Sequence, residues 1–154
     1  MSSVAPAPLL AVGHVGINVT DLDRSVAFYT AALGMRVASL GDDKGRRFAF
    51  LARDAKMMLT LWEQADGQFD SERAGLHHLS FEVEDIDAVR TAELAVAAAG
   101  GRFVHDGVVA HREGASSGGI FFLDPDGTRL EIYTPVGATE APAPSGDAPT
   151  CGFF

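Results

Sequence analysis

The chain predicts an α+β fold made of two tandem β-α-β-β-β units, and two observations carry that prediction. The first is an internal repeat. His14-Val15-Gly16-Ile17-Asn18-Val19, leading to Asp21-Leu22-Asp23, returns as His78-Leu79-Ser80-Phe81-Glu82-Val83, leading to Asp85-Ile86-Asp87, at a constant offset of 64 (78 − 14). The second is periodicity: each copy alternates apolar residues at every second position and then changes to helical spacing. Alternation sends His14, Gly16 and Asn18 to one face and Val15, Ile17 and Val19 to the face that packs beneath the helix. His78, Ser80 and Glu82 behave in the same way.

Residues 9–20 form the expected first strand. Asp21 is a good cap for the helix that follows, with Asp23 at the positive end of its dipole. Leu22, Val26, Tyr29 and Leu33 recur at helical spacing, and Gly34 closes the helix. Three short strands are expected at 35–40, 46–52 and 56–62, parted by turn-forming residues at 41–45 and 53–55. Residues 63–74 are polar and aperiodic, a linker that can also cover a site. The second unit opens at Gly75, and its helix runs from the Asp85 cap through Ile86, Val89, Leu94 and Ala97 to Gly100-Gly101. Its strands are expected at 103–110, 119–123 and 128–134, the last two joined by the tight turn Asp124-Pro125-Asp126-Gly127. The expected organisation is a single domain at 9–136, with unit one at 9–64 and unit two at 75–135. A disordered leader at 1–8 and a flexible tail at 137–154 flank it, since Ala, Pro, Ser and Gly dominate that tail. Within it, Cys151-Gly152-Phe153-Phe154 is either a docking element or a frayed end.

The 154 residues are 47% hydrophobic, enough for a sizeable core, and 12 basic residues against 21 acidic ones leave a formal charge of −9. Such a charge repels nucleic-acid phosphates and anionic membrane surfaces, so the expected partner is a small molecule. One cysteine forms no internal disulfide, no apolar run is long enough to span a bilayer, and residues 1–8 lack the features of a signal peptide. A cytoplasmic protein is expected.

In Arg129-Leu130-Glu131-Ile132-Tyr133, alternation turns Leu130 and Ile132 to the core, and Arg129, Glu131 and Tyr133 to the side of His14 and His78. Two imidazoles and one carboxylate converging from three strands make a facial triad for one divalent metal ion with open positions. Fe(II) is favoured, and Mn(II), Zn(II) or Ni(II) also suits it. His111, beside the Gly-rich stretch 113–119, is a candidate catalytic proton carrier or else a solvated loop residue. Tyr133 is a second candidate catalytic group. Phe48, Phe50, Trp62 and Phe122 are candidate substrate-binding walls of an apolar cup, unless they are ordinary core. His77 alternates to the face of Leu79 and Phe81, and His105 opens a polar turn, so neither is given a role.

The chain resembles the vicinal oxygen chelate superfamily, which includes glyoxalase I, bleomycin-resistance proteins and extradiol dioxygenases. The resemblance spans about residues 10–135. It rests on His14-Val15-Gly16 with Asp21-Leu22 and Phe28-Tyr29, on Leu33-Gly34, on His78-Leu79-Ser80-Phe81, and on Asp124-Pro125-Asp126-Gly127 with Leu130-Glu131. It implies paired units forming a cup-shaped open barrel around one metal, with His14, His78 and Glu131 on ligand positions. The fourth position lies on the last strand of unit one, where Met58-Leu59-Thr60-Leu61-Trp62 aligns with Arg129 to Tyr133. It holds Thr60, which is left to face substrate.

Glyoxalase I usually has a second carboxylate at that position, so Thr60 points instead to the three-ligand set of the extradiol dioxygenases, which the fosfomycin-modifying enzymes share. Ring-cleaving relatives also carry a tyrosine on the strand before the turn, and here Ile120-Phe121-Phe122 has none. The resemblance therefore implies a metal-dependent enzyme, foremost an extradiol-type dioxygenase acting on a small phenolic or oxygen-chelating substrate. A glyoxalase-like lyase or isomerase and an antibiotic-sequestering binding protein are the alternatives, and a homodimer is the expected assembly.

Overall fold

Alternation is visible as burial in the first strand of the computed structural model, which describes residues 7–144. In β1 (Val15–Val19), Ile17 and Val19 are buried while Gly16 and Asn18 are exposed. The strand is shorter than expected, for residues 9–14 pair with no other strand among the described residues. Asp21 caps α1 (Leu22–Leu33) as anticipated, its side chain accepting from the Arg24 amide at 3.0 Å, and Gly34 ends it at φ 61°. β2 (Arg36–Asp43), β3 (Arg46–Arg53) and β4 (Lys56–Glu63) complete unit one. β2 runs beyond its expected end because Lys44 and Gly45, at φ 55° and 86°, make the whole turn, the tight left-handed type that suits twisted hairpins.

Unit two repeats the plan with β5 (Leu79–Glu82) and α2 (Ile86–Ala98), which Asp85 caps by accepting from the Ala88 amide at 2.8 Å. The strand expected at 103–110 is instead two short ones, β6 (Arg102–Phe103) and β7 (Val109–Ala110), both paired to β8 (Gly118–Leu123). His105-Asp106-Gly107, with Gly107 at φ 72°, bends the chain between them. β9 (Arg129–Thr134) closes the unit.

Sheet one has the order β1-β4-β3-β2 and sheet two β5-β9-β8-β6, so β1 and β5 are both edge strands. Register confirms the repeat at the level of residue pairs: Gly16 lies opposite Thr60, and Ser80 opposite Glu131. The chain is α+β as expected, with two open sheets rather than a closed barrel.

The units are joined through their helices and one turn. Phe28 of α1 meets Phe122 of β8 with ring centroids 6.4 Å apart, and the Tyr29 hydroxyl donates to Asp124 at 2.8 Å. Asp126 accepts from the Thr20 amide at 2.9 Å, from the Thr20 hydroxyl and from Arg24 at 2.8 Å. Asp124 also accepts from the amides of Asp126 and Thr128 at 2.9 and 2.8 Å, so the Asp124–Gly127 turn is clamped from within and from unit one. One hydrophobic core runs through both units. Each fully buried Leu, Ile or Val in it contributes roughly 1.5–3 kcal/mol.

Two expectations need correction. Phe122 is fully buried in that core, so it is packing and not a wall of a ligand cup. The chain also stays packed past residue 137: the Ala138 amide donates to Ser116 O at 2.8 Å and the Ala110 amide to Pro142 O at 3.0 Å, with Ala138 1% exposed. Most of the expected leader, and the Cys151–Phe154 stretch, lie outside the described residues. No described helix is long and apolar enough to cross a membrane.

Candidate active site

Glu131, in the middle of β9, is in register with Ser80 on one side and Phe121 on the other. Its neighbours Leu130 and Ile132 face the helices, which turns Glu131 to the opposite side of the sheet, where it is only 6% exposed. A carboxylate so buried is costly unless donors reach it. One does: His111 Nε2 stands 2.6 Å from Oε1, while His78 Nε2 stands beside the other oxygen, 3.6 Å from Oε2 and beyond hydrogen-bond reach.

His111 is held at both ends of its ring, with Nδ1 2.9 Å from Ser117 Oγ, while its amide donates to Ser117 O at 3.0 Å. Ser116 Oγ donates to Pro135 O at 3.0 Å, so the Gly-rich stretch is tied across the end of β9. The His111 side chain is 19% exposed. Gly118 and Gly119 permit the closure: a Cβ on Gly119 would lie 2.1 Å from Ile132 O, and one on Gly118 2.5 Å from Val109 O.

His78 immediately precedes β5, so strand alternation does not govern His77 beside it. The two Nδ1 atoms are 2.8 Å apart, and His77 Nε2 lies 3.5 Å from Arg129. Burial, and next the nearby charges of His77 and Arg129, lower the His78 pKa, although the Glu131 charge opposes them. That direction favours the neutral ring near neutral pH. An Nδ1···Nδ1 hydrogen bond needs one proton, and when His78 supplies it, the lone pair of its Nε2 faces Glu131.

Phe121, which the sequence reading passed over, lies on this face and is 2% exposed, with the His105 and His111 rings edge-on to it at 5.6 and 6.1 Å. It was countable from the turn, because Leu123 opposite Arg129 puts Phe121 opposite Glu131. Ser117 left no comparable signal. Tyr133 stands 5.6 Å from the His111 ring, and its hydroxyl donates to Glu82 at 2.7 Å. That bond, ahead of burial and the acidic neighbours, raises its pKa.

His14 is exposed and makes no hydrogen bond or ion pair with His78 or Glu131. Among the described residues no three His, Cys, Asp or Glu side chains form a ready metal cage. Within one chain the structure therefore brings together His78, His111 and Glu131, and leaves His14 apart. Thr60, the image of Glu131 in unit one, is 5% exposed, and a Cβ on Gly16 would lie 3.2 Å from its hydroxyl. Phe48 stacks against Phe50 and Trp62 at 5.1 and 4.8 Å on the same face of sheet one.

Residues 11–132 match the family model of the Glyoxalase/Bleomycin resistance protein/Dioxygenase superfamily. The catechol-2,3-dioxygenase of Bacillus subtilis is 30% identical over 79% of this chain, and the chain spans 40% of that protein's length. The lactoylglutathione lyase of Haemophilus influenzae is 33% identical over 77% of this chain and 88% of its own. Among solved structures, the glyoxylase/bleomycin resistance protein/dioxygenase domain from Frankia sp. EAN1pec superposes with TM-score 0.71 at 29% identity, covering 82% of this chain and 93% of that one. With duplicated units, parallel β1–β4 and β5–β9 pairs and a family match over nearly its whole described length, the chain belongs to the Glyoxalase/Bleomycin resistance protein/Dioxygenase superfamily.

Proposed function

We propose that this chain is a divalent-metal-dependent enzyme acting on a small substrate with two adjacent oxygens, foremost by extradiol-type opening of a phenolic ring. The observation that supports it is the burial of Glu131, at 6% exposure, between the Nε2 atoms of His78 and His111. A buried anion beside a neutral imidazole suits Fe(II), or Mn(II), Zn(II) or Ni(II), and His14 is the third ligand of this reading. Because His14 lies apart in its own chain, it would come from a second copy, so the active form is a homodimer. When bound, the cation supplies Lewis-acid stabilisation of negative charge on the substrate oxygens.

The chain's own residues supply the rest. His111, with Nε2 against Glu131 and its ring held by Ser117 at Nδ1, is the proton carrier of this reading. Phe48, Phe50 and Trp62 offer an aromatic platform, Thr60 faces the substrate, and Tyr133 flanks His111 with its hydroxyl engaged by Glu82. The relatives' names include a catechol dioxygenase, and Thr60 in place of a second carboxylate agrees with a three-ligand site.

Anaerobic reconstitution with Fe(II), then oxygen-uptake assays on a catechol panel, tests the reading. Uptake with one metal bound per chain is expected; unchanged metal content in His78→Ala would remove the site. A second reading, a glyoxalase-like lyase, is favoured by length, since the chain spans 88% of the lactoylglutathione lyase but 40% of the catechol dioxygenase. Turnover of an oxo-aldehyde–thiol adduct without oxygen uptake would move the assignment there. Tight antibiotic binding by metal-free protein, with no turnover, would replace both readings with a sequestering role.

A further inference from the structure

Between α1 and the carboxyl end of α2 lies a hollow of about 480 Å³ that is separate from the site around Glu131. Arg24 and Arg102 flank it, and its apolar walls include Ala27 of α1 with Leu123 and Pro125 of unit two. Ala99 and Gly100, at the end of α2, bring too little side chain into it to close it. Because Leu130 and Ile132 face the helices, the hollow is on the helix side of sheet two and Glu131 is on the other.

Both guanidinia are anchored, and neither is used up. Arg24 Nη2 donates to the Thr20 hydroxyl at 2.9 Å and to Asp126 at 2.8 Å, and Arg102 Nη2 donates to Asp124 O at 3.4 Å. Among the described residues each bonds through Nη2 alone, which leaves its Nε and Nη1 donors for another acceptor. Asp124 is the one acid lining the hollow, and its carboxylate is turned inward: it is 1% exposed, with Oδ2 taken by the Tyr29 hydroxyl and Oδ1 by the amides of Asp126 and Thr128. The carboxyl end of α2, which would oppose an anion, is closed, for the amides of Gly100 and Gly101 donate to Ala97 O and Val96 O at 3.1 and 2.9 Å. A net charge of −9 disfavours anions over the molecule as a whole, so two guanidinia beside one apolar wall form a local exception.

We propose that this hollow binds an organic monoanion, an aryl or alkyl carboxylate, with its carboxylate met by Arg24 and Arg102 and its apolar body against Ala27, Leu123 and Pro125. The planar fork of a guanidinium matches the two oxygens of a carboxylate. The volume lies within the range of small-molecule sites, about 300–1,000 Å³. Binding here requires no metal, and it goes beyond the chemistry proposed at Glu131 without depending on it.

Titration calorimetry of the metal-free full chain with 2-naphthoate should show one saturable site per chain. The neutral 2-naphthamide keeps the rings and loses the charge, and it should bind at least about tenfold more weakly. Arg102→Gln and Ala27→Phe alter exposed side chains, the first removing a guanidinium and the second filling the hollow. Each should weaken 2-naphthoate at least about tenfold with the far-ultraviolet circular dichroism unchanged. His78→Ala should bind it as the native chain does. Absence of saturable binding, equal affinity for the amide, undiminished binding in both hollow variants, or loss of binding in His78→Ala would each overturn the proposal. The last of these would put the ligand at the Glu131 site instead, whereas failure of metal binding there would leave the hollow untouched.

Discussion

Tyr29 of unit one donates its hydroxyl to Asp124 of unit two over 2.8 Å, with both side chains buried. This bond fastens α1 to the turn that precedes β9, and so to the strand that carries Glu131. Tyr29→Phe removes the donor but keeps the ring, its edge-on contact with Phe28 included. Asp124 is then left with the amides of Asp126 and Thr128 on Oδ1 only. The expected loss is about 1–3 kcal/mol, read as a lower urea midpoint with an unchanged slope.

The same pair gives the fold a pH dependence. Burial raises the pKa of Asp124, although the Tyr29 hydroxyl and the Thr128 and Asp126 amides pull it down. The folded chain therefore holds this proton more tightly than the unfolded chain does. That contribution to stability is full below the ordinary carboxylate pKa and is lost as pH rises through the raised folded value. Asp124→Asn does not titrate. Urea midpoints measured upward from about pH 4 should shift in favour of Asp124→Asn relative to the native chain; a constant difference across that range would contradict the assignment.

His111 and His78 both flank Glu131, yet the proposal gives them different work, and single substitutions separate the two. His78→Ala should lose bound metal. His111→Ala should keep the metal and lower kcat by about 10²–10⁴, the usual range for a lost general base, with little change in KM. Metal analysis beside steady-state rates decides: if His111→Ala loses metal as fully as His78→Ala, then His111 is a ligand and not a proton carrier.

What could be read from the residues alone follows physical range. Asp21 and Asp85 as caps, Gly34 as a helix end and the Asp124–Gly127 turn are local devices, acting within a few residues, and each stands where its chemistry requires. Although the register that sets Gly16 opposite Thr60 and Ser80 opposite Glu131 came from the pairing itself, the equivalence of the two last strands also followed, since Met58 to Trp62 aligned with Arg129 to Tyr133. The contacts of His111 did not. They depend on a loop that folds back through Ser116, Pro135 and Ala138, and no period encodes that closure. Phe122 was misread for a related reason: one-residue register decides which of two adjacent phenylalanines faces the helices, and that register was set by pairing with β9. His14 shows the same limit, for it stands ahead of β1, outside the pairing that alternation describes.

Gly41 offers a test of the aromatic platform that leaves the metal ligands untouched. A Cβ there would lie 2.3 Å from Cζ of Phe48, the far end of a ring that can swing, so Gly41→Ala should move the ring and not the backbone. Phe48 holds Trp62 at 4.8 Å and Phe50 at 5.1 Å, and displacing it loosens that stack. An aromatic pair contributes about 0.5–1.5 kcal/mol, so an aromatic ligand resting on the stack should bind roughly two- to tenfold more weakly. Trp62 is the sole tryptophan, so its emission reports the event directly. Quenching by a catechol should then require correspondingly more ligand in Gly41→Ala, while metal content stays close to native. Equal quenching curves for the two proteins would take the platform out of the substrate site and return these three rings to packing.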